Sequence, residues 1–200
     1  MPRDGFIRSF LTALRLTLVM TVILGMVYPL FVGALGALTF GRQAAGSWIT
    51  DTTGHVRGSS LVGQRFVDPE GKPLAQYFQP RPSAAGNGYD AMASGASNFG
   101  PENPDLAAAI RARQAQVAAF NGVPVERIPP DAVTASASGL DPHISPEYAA
   151  LQIARVAIAR GLPVAQVQAL VAAHTAGRDL GFIGEPRVNV VTLNAALDGY

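Results

Sequence analysis

Hydrophobic residues concentrate in one long run near the N-terminus. Residues 16–41, LTLVMTVILGMVYPLFVGALGALTFG, contain no charged side chain and are flanked by two arginines. At ~1.5 Å per residue, a helix of this length exceeds the ~30 Å hydrocarbon core of a bilayer. The pattern predicts a transmembrane helix, which we place at residues 11–40. Tyr28 and Pro29 lie near its middle, where neighbouring helices or a local readjustment can satisfy the carbonyl that the proline leaves free.

A secretory signal is the alternative interpretation of this run. Only residues 33–37 offer the small side chains of a cleavage site, and the run is much longer than the ~7–15 apolar residues of a signal core. We therefore favour an uncleaved anchor. Gly25, Gly33 and Gly36 give it small surfaces that another helix could approach closely.

The pattern after the apolar run predicts short strands and a long loop. Residues 41–60 are small and polar, and we interpret them as a juxtamembrane linker with one short strand at 47–50. Alternating apolar residues predict further strands at 61–67 and 74–78. Proline, glycine, asparagine and serine dominate residues 80–104, which predicts an irregular loop. A loop of this length usually has a function, binds a partner or is disordered, and the aromatic residues Tyr89 and Phe99 favour an ordered surface.

Helical periodicity returns in the second half of the chain. Helices are predicted at 103–121, 145–161 and 163–176, each with a capping residue or proline at its start. Val188 and Val190 then alternate with polar residues, which predicts a strand leading into a last helical turn. Together these elements predict the α+β class: one N-terminal transmembrane helix followed by a small mixed α+β domain at residues 61–200.

Charge gives the expected orientation. Residues 1–15 carry three arginines and one aspartate, whereas residues 42–200 carry 12 basic and 13 acidic side chains. The positive-inside rule places a short N-terminus, residues 1–10, in the cytoplasm and the α+β domain outside. The absence of cysteine excludes disulfides and thiolate chemistry, and no basic run indicates binding to nucleic acid.

The stretch DAVTASASGLDPHISPEYA, residues 131–149, holds the densest group of candidate catalytic side chains. Ser136 or Ser138 with His143 could form the nucleophile and base of an external hydrolase, although no G-x-S-x-G motif is present. The second interpretation is structural, because Ser145 followed by a proline is typical of a helix N-cap. A contact with a partner or ligand is the third. We favour the structural interpretation and assign no catalytic residue.

Metal and phosphate motifs are weak. His55, His143 and His174 are widely spaced, so no metal site is predicted, and His174 lies on an apolar helical face that favours a half-buried structural histidine. No phosphate-binding P-loop occurs. The segment SGASNFGPENP could offer backbone amides to an anion, but a tight structural loop is the favoured interpretation.

Several sequence blocks, in the same order, resemble the KdpC family, the C subunit of the bacterial Kdp potassium-transporting ATPase. They are GMVYPL, AAGSWI, GSSLVGQRF, YFQPRPSA, YDAMASGASNFGPENPDL, DAVTASASGLDPHISPEYAALQIARVAIARGL and GEPRVNVVTLNAALD, and they cover nearly the whole chain. Ala45, Ala96 and Ala137 are small departures from the residues usual in the family.

The resemblance implies an accessory subunit of an ATP-driven, high-affinity potassium uptake complex in the cell inner membrane. The implied partners are a channel-like potassium-translocating subunit, a P-type ATPase subunit, a very small membrane peptide and inner-membrane lipid. The family is described as a catalytic chaperone that raises the ATP affinity of the ATPase subunit. No cofactor is expected on the chain alone, although ATP could be bound within the complex.

Two expectations about sites follow from the resemblance, and they conflict. A signature-like element implies nucleotide contacts at Ser136, Ser138, Gly139 and Gln152. The charge argument places these residues outside, opposite to ATP, and we give it more weight. The alternative is that the external domain, periplasmic in this family, braces the channel subunit near the ion entrance. Contacts with partners are then expected at Tyr28, Pro29, Arg81, Tyr89, Ser97, Asn98, Asp141 and His143.

Overall fold

The computed structural model describes residues 3–199 and divides the chain into two compact units, Met1–Ser47 and Trp48–Tyr200. The first unit is helical. It contains α1 (Arg3–Val22), a π-helical turn (Ile23–Val27), α2 (Tyr28–Thr39) and the short α3 (Gly41–Ala44). Within the described residues, Gly5–Thr39 is the one helix long and apolar enough to cross a membrane.

The π-helical turn lies immediately before the proline of the apolar run. The backbone N–H of Tyr28 donates to the carbonyl of Ile23, five residues earlier, instead of the usual four. Pro29 has no N–H and its ring crowds the preceding turn, so a widened turn at this point keeps the helix continuous. The local readjustment expected at Tyr28 and Pro29 is therefore observed.

A two-stranded antiparallel hairpin opens the second unit. It pairs β1 (Trp48–Thr50) with β2 (Val56–Ser59), which confirms the strand predicted at 47–50. The side chain of Asp51 closes the turn, because its Oδ1 accepts hydrogen bonds from the backbone N–H groups of Thr53 and His55.

The predicted strands at 61–67 and 74–78 are wrong. Apart from a single bridge between Val67 and Pro73, this part of the chain is irregular. Side-chain amides replace a neighbouring strand: Asn194 bonds both the N–H and the carbonyl of Phe78, and Gln152 does the same for Gln79. The backbone groups of Phe78 and Gln79 are thus hydrogen-bonded, but their partners are side chains of two distant helices.

The predicted helices are present with small changes at their ends. They are α4 (Pro104–Asn121), α5 (Pro146–Arg160) and α6 (Val164–Ala173). The side chains of Asn103 and Ser145 accept backbone hydrogen bonds at the first turns of α4 and α5, as their cap sequences predict. The third helix ends at Ala173 instead of residue 176, because the next residues enter a sheet.

That sheet has three short antiparallel strands in the order β3 (His143–Ile144), β5 (Arg187–Asn189) and β4 (Thr175–Ala176). Val188 of β5 pairs with both neighbours, and α7 (Val190–Leu197) follows at once, as predicted for this segment. The core joins the sheet to the helices through Phe78, Ile144, Tyr148, Val156, Val167, Val188 and Leu193. The α+β class is confirmed.

Candidate functional site

The polar stretch at 134–141 forms a turn that holds the long loop against the domain. The N–H of Ser136 donates to the carbonyl of Pro82 at 2.9 Å, and the N–H of Gly95 donates to the carbonyl of Ser138 at 3.0 Å. The hydroxyl of Ser83 adds a hydrogen bond to the carbonyl of Gly139 at 2.6 Å. Residues 82–95 of the 80–104 segment are thus held to this turn by two backbone hydrogen bonds and one from a serine side chain.

Gly139 is the closest point of this contact. Its φ is +70°, and a Cβ at this position would lie 2.6 Å from the Cβ of Ala85 and 2.9 Å from the carbonyl oxygen of Gly95. Both the left-handed backbone and the lack of space require glycine. The residue is buried, and its structural role is evident from these contacts.

Four of the expected partner-contact residues come together beside this turn. Arg81 lies 3.4 Å from Asp141, whose Oδ1 also contacts Nδ1 of His143 at 3.1 Å. The hydroxyl of Tyr89 donates to the carbonyl of Arg81 at 2.9 Å. We name Arg81, Tyr89, Asp141 and His143 the ionic cluster. It is half-buried, with His143 and Asp141 reaching the surface.

The ionic cluster changes the acidity of two of its members. Burial opposes ionisation of Asp141, but hydrogen bonds from His143 outweigh it, and the pKa of Asp141 falls below its usual value. Burial, with the nearby charge of Asp141, raises the pKa of the Tyr89 phenol. Asp141 is therefore charged and Tyr89 neutral at physiological pH.

The other expected partner contacts lie elsewhere. Tyr28 and Pro29 belong to the first unit, where the side chain of Tyr28 is exposed. Ser97 and Asn98 lie on an exposed part of the 80–104 segment, and Asn98 has a positive φ of 52°. These four residues are accessible but do not belong to the ionic cluster.

The four residues implied in nucleotide contact are largely engaged within the domain. Ser136 is buried, and its Oγ accepts from the N–H of Gly139 at 3.0 Å. Ser138 is exposed, and its Oγ accepts from the N–H of Leu140 at 3.1 Å. Gln152 is fully buried: its Oε1 accepts from the N–H of Gln79 at 2.7 Å and from Arg155 at 2.7 Å. Of the three side chains, that of Ser138 is the accessible one.

The geometry of a serine hydrolase is not assembled. Among the residues that the structure describes, no serine hydroxyl forms a hydrogen bond with His143, whose side-chain partner is Asp141. Ser145 is the N-cap of α5 and donates its hydroxyl hydrogen to Asp131 at 2.8 Å. The structural interpretation of residues 131–149 accounts for these bonds, whereas a nucleophile–base pair is missing.

The histidines form no metal site in the described part of the chain, where no group of three potential ligands occurs. His174 is half-buried at the end of α6, with its Nδ1 2.9 Å from the carbonyl oxygen of Leu170. That contact agrees with the structural histidine expected at this position.

Sequence reasoning missed an exposed apolar patch between β4 and β5. Leu180, Phe182 and Ile183, which we name the apolar tip, expose 83%, 72% and 49% of their surface. Asp179 and Ile183 exchange two backbone hydrogen bonds of 2.9 Å beneath it. The signal was available in the sequence DLGFIGE, where large apolar residues stand among glycines and charges without the period of a helix or strand.

These features define a class of protein before any comparison. A helix able to span a membrane is followed by an α+β domain whose polar groups bond each other and whose apolar tip is exposed. Such a chain is typical of a membrane-anchored protein that binds partners.

Comparison with known proteins identifies the family. The family described as "KdpC: K+-transporting ATPase, c chain" matches residues 10–199. The chain is 55% identical to the potassium-transporting ATPase KdpC subunit of Kineococcus radiotolerans over 193 residues, covering 96% of this chain and 94% of the relative. The corresponding subunits of Gemmatimonas aurantiaca and Mycobacterium tuberculosis are 54% and 50% identical, covering 93% and 96% of this chain and 90% and 98% of the relatives. The chain belongs to the KdpC family of potassium-transporting ATPase subunits.

Proposed function

We propose that this chain is a non-catalytic accessory subunit whose domain lies outside the membrane and docks onto the channel-like potassium-translocating subunit. The apolar tip is the observation that carries this proposal. Three large apolar side chains within four residues are costly to leave in water, so a partner surface that covers them is stabilised by the hydrophobic effect. The ion pairs Arg178–Glu185 and Arg187–Asp179 support the loop that presents them.

Substitution of the tip tests docking. Phe182→Ser is expected to reduce co-purification of the chain with the translocating subunit in mild detergent, because it removes the aromatic ring of the tip. Ile158→Ser is the matched control, since Ile158 on α5 is 82% exposed but lies outside the tip. Equal recovery of the complex with both variants would contradict docking through the tip.

The proposed orientation has an N-terminus in the cytoplasm and residues 42–200 in the periplasm of the inner membrane. It is supported by the excess of arginine before the apolar helix. Protease added to cells with a permeabilised outer membrane is expected to cleave beyond residue 42. Protection until the inner membrane is opened would reverse the orientation.

The domain also supports the ATPase subunit, in the sense of the catalytic chaperone that the family resemblance implies. With the domain outside, the effect on ATP affinity has to pass through the partner subunits, including contacts of the apolar helix with the ATPase subunit and the small membrane peptide. The expected result is a raised KM for ATP in complexes that carry Phe182→Ser, with Ile158→Ser unchanged. An unchanged KM despite weakened docking would contradict this route.

Direct nucleotide contact at Ser136, Ser138, Gly139 and Gln152 is the competing route. Ser138→Ala tests it best, because the Ser138 hydroxyl is accessible and accepts one backbone bond that the domain can lose at small cost. Reduced ATP labelling of the folded full chain in this variant would favour direct contact. Gln152→Ala is a poor test, since the backbone of Gln79 depends on that amide.

A further inference from the structure

We propose that a cleft on the second unit binds a small anion carrying phosphate groups. This cleft has a volume of about 400 Å³, and its walls include Arg65, Arg81, Arg113, Gln116, Tyr89 and Tyr148. The inference goes beyond the accessory role and does not depend on it. None of the four residues implied in nucleotide contact lines the cleft.

The charge of the cleft is the first argument. Three arginines line it, and no aspartate or glutamate does. A concave, partly buried wall lined by charges of one sign concentrates ions of the opposite charge, so the arginines of this cleft attract anions. Because guanidinium groups remain charged at all physiological pH values, this potential persists under cellular conditions.

The bonding of the three guanidinium groups is the second argument. Arg65 donates to the carbonyl of Asn87 at 2.6 Å, and Arg113 donates to the carbonyl of Val133 at 3.0 Å. These bonds hold the side chains in place but provide no negative charge. Arg81 is paired with Asp141 at 3.4 Å, whereas no carboxylate of the described residues pairs with Arg65 or Arg113, so two of the three positive charges are not compensated.

Arg81 also has a donor that nothing satisfies. Within the described residues, its Nε is the one buried side-chain nitrogen or oxygen without a hydrogen-bond partner. A buried donor left unpaired is costly, and structures that retain one usually do so for a ligand, an ion or water. An anion in the cleft would provide the acceptor.

The chemistry of the walls favours phosphate groups. A phosphate offers several acceptor oxygens and about two charges, which matches donors that come from three separate elements of the chain. Tyr89 and Tyr148 give the cleft aromatic walls. A tyrosine phenol is neutral at pH 7 and so does not repel an anion. Burial strengthens this by raising the pKa of Tyr148 to about 12 and also that of Tyr89.

Inorganic pyrophosphate is the probe for this site. We expect saturable binding to the purified full chain in detergent, measured by calorimetry, and affinity about tenfold or more weaker in the double variant Arg65→Gln with Arg113→Gln. Arg111→Gln is the matched control, because Arg111 lies on α4 with Arg113 but is exposed and does not line the cleft. The proposal would be overturned if the unmodified chain showed no saturable binding of pyrophosphate in detergent or in vesicles. It would also be overturned if Arg111→Gln lost as much affinity as the double variant.

Two sources of phosphate are distinguished by melting the reconstituted chain in vesicles. If the anion is a lipid headgroup, phosphatidylglycerol vesicles should stabilise the unmodified chain and Arg111→Gln relative to phosphatidylcholine vesicles, but not the double variant. If it is a free anion, added pyrophosphate should raise the melting temperature in both vesicle types, again not in the double variant. Circular dichroism of the double variant confirms that it is folded, and a variant that still responds like the unmodified chain contradicts the site.

Discussion

Gly139 and Gly161 share a left-handed backbone conformation but differ in their surroundings. Their φ angles are +70° and +63°, and a Cβ on Gly161 would meet nothing within 4 Å, whereas one on Gly139 would overlap Ala85. Gly161→Ala therefore measures the cost of the backbone angle alone, about 1 kcal/mol. Gly139→Ala is expected to cost more, on the order of 2–4 kcal/mol, because the 82–95 loop must also move.

Denaturant unfolding of the two glycine variants checks this difference. Equal losses would show that the loop yields without cost, so the contact between residues 82–95 and 134–141 would be loose. A larger loss in Gly139→Ala would make the structural role of Gly139 sufficient to explain its presence, with no ligand required.

Asp51 is expected to make the stability of the domain depend on pH in the acid range. The hydrogen bond from the Thr53 hydroxyl, with backbone bonds and Arg57, lowers the pKa of Asp51 from 3.8 to about 2 despite the opposing effect of burial. Because the folded pKa is depressed, the stabilisation is fully present above about pH 4 and is lost as the pH falls towards 2. The difference in unfolding free energy between the unmodified chain and Asp51→Asn should shrink over that window, and a constant difference would contradict the assignment.

At the scale of elements, the N-cap residue of α5 is expected to contribute more to the unfolding free energy than the N-cap residue of α4. Ser145 accepts from the N–H of Tyr148 and donates to Asp131, whereas the side chain of half-buried Asn103 accepts one hydrogen bond, from the N–H of Asp105. We expect Ser145→Ala to lower the unfolding free energy by about 1–2 kcal/mol and Asn103→Ala by about 1 kcal/mol or less. Thermal unfolding of both variants measures this, and the reverse order would show that the Asp131 bond contributes nothing.

The elements that sequence predicted are those whose causes are local. Helices α4 and α5 begin at cap residues that bond within three positions, so the signal lies in consecutive letters. The strands predicted at 61–67 and 74–78 failed for the opposite reason. Apolar and polar residues do alternate there, but the backbone of Phe78 and Gln79 bonds to the side chains of Asn194 and Gln152. A local sequence pattern cannot indicate partners that lie more than seventy positions away.

The candidate site divides in the same way. The role of Ser145 was readable from cap chemistry, because serine followed by proline is a local signal. The cleft was not, because Arg65, Arg81 and Arg113 come from three separate segments and only the folded chain places them on one wall. The expected contacts between residues of this chain and the partner subunits remain predictions.

At the scale of the whole molecule, the α+β domain should fold without the apolar helix. Every residue of the hydrophobic core cluster lies between Phe78 and Leu193, within the second unit. A fragment of residues 42–200 is therefore expected to melt cooperatively, with the midpoint of the full chain in detergent. The single tryptophan, Trp48, reports on the hairpin in the same experiment, and a gradual loss of signal would show that the helix is needed for folding.

The widened turn at Ile23–Val27 has a consequence for how the apolar helix meets its neighbours. One residue of an α-helix turns the chain by about 100°, and a π-helical turn inserts roughly one residue into the spiral. Side chains before residue 23 and after residue 27 are therefore out of phase with a single continuous stripe. Two partners on different sides can each contact one half of the same helix, so a single span can join two neighbouring subunits.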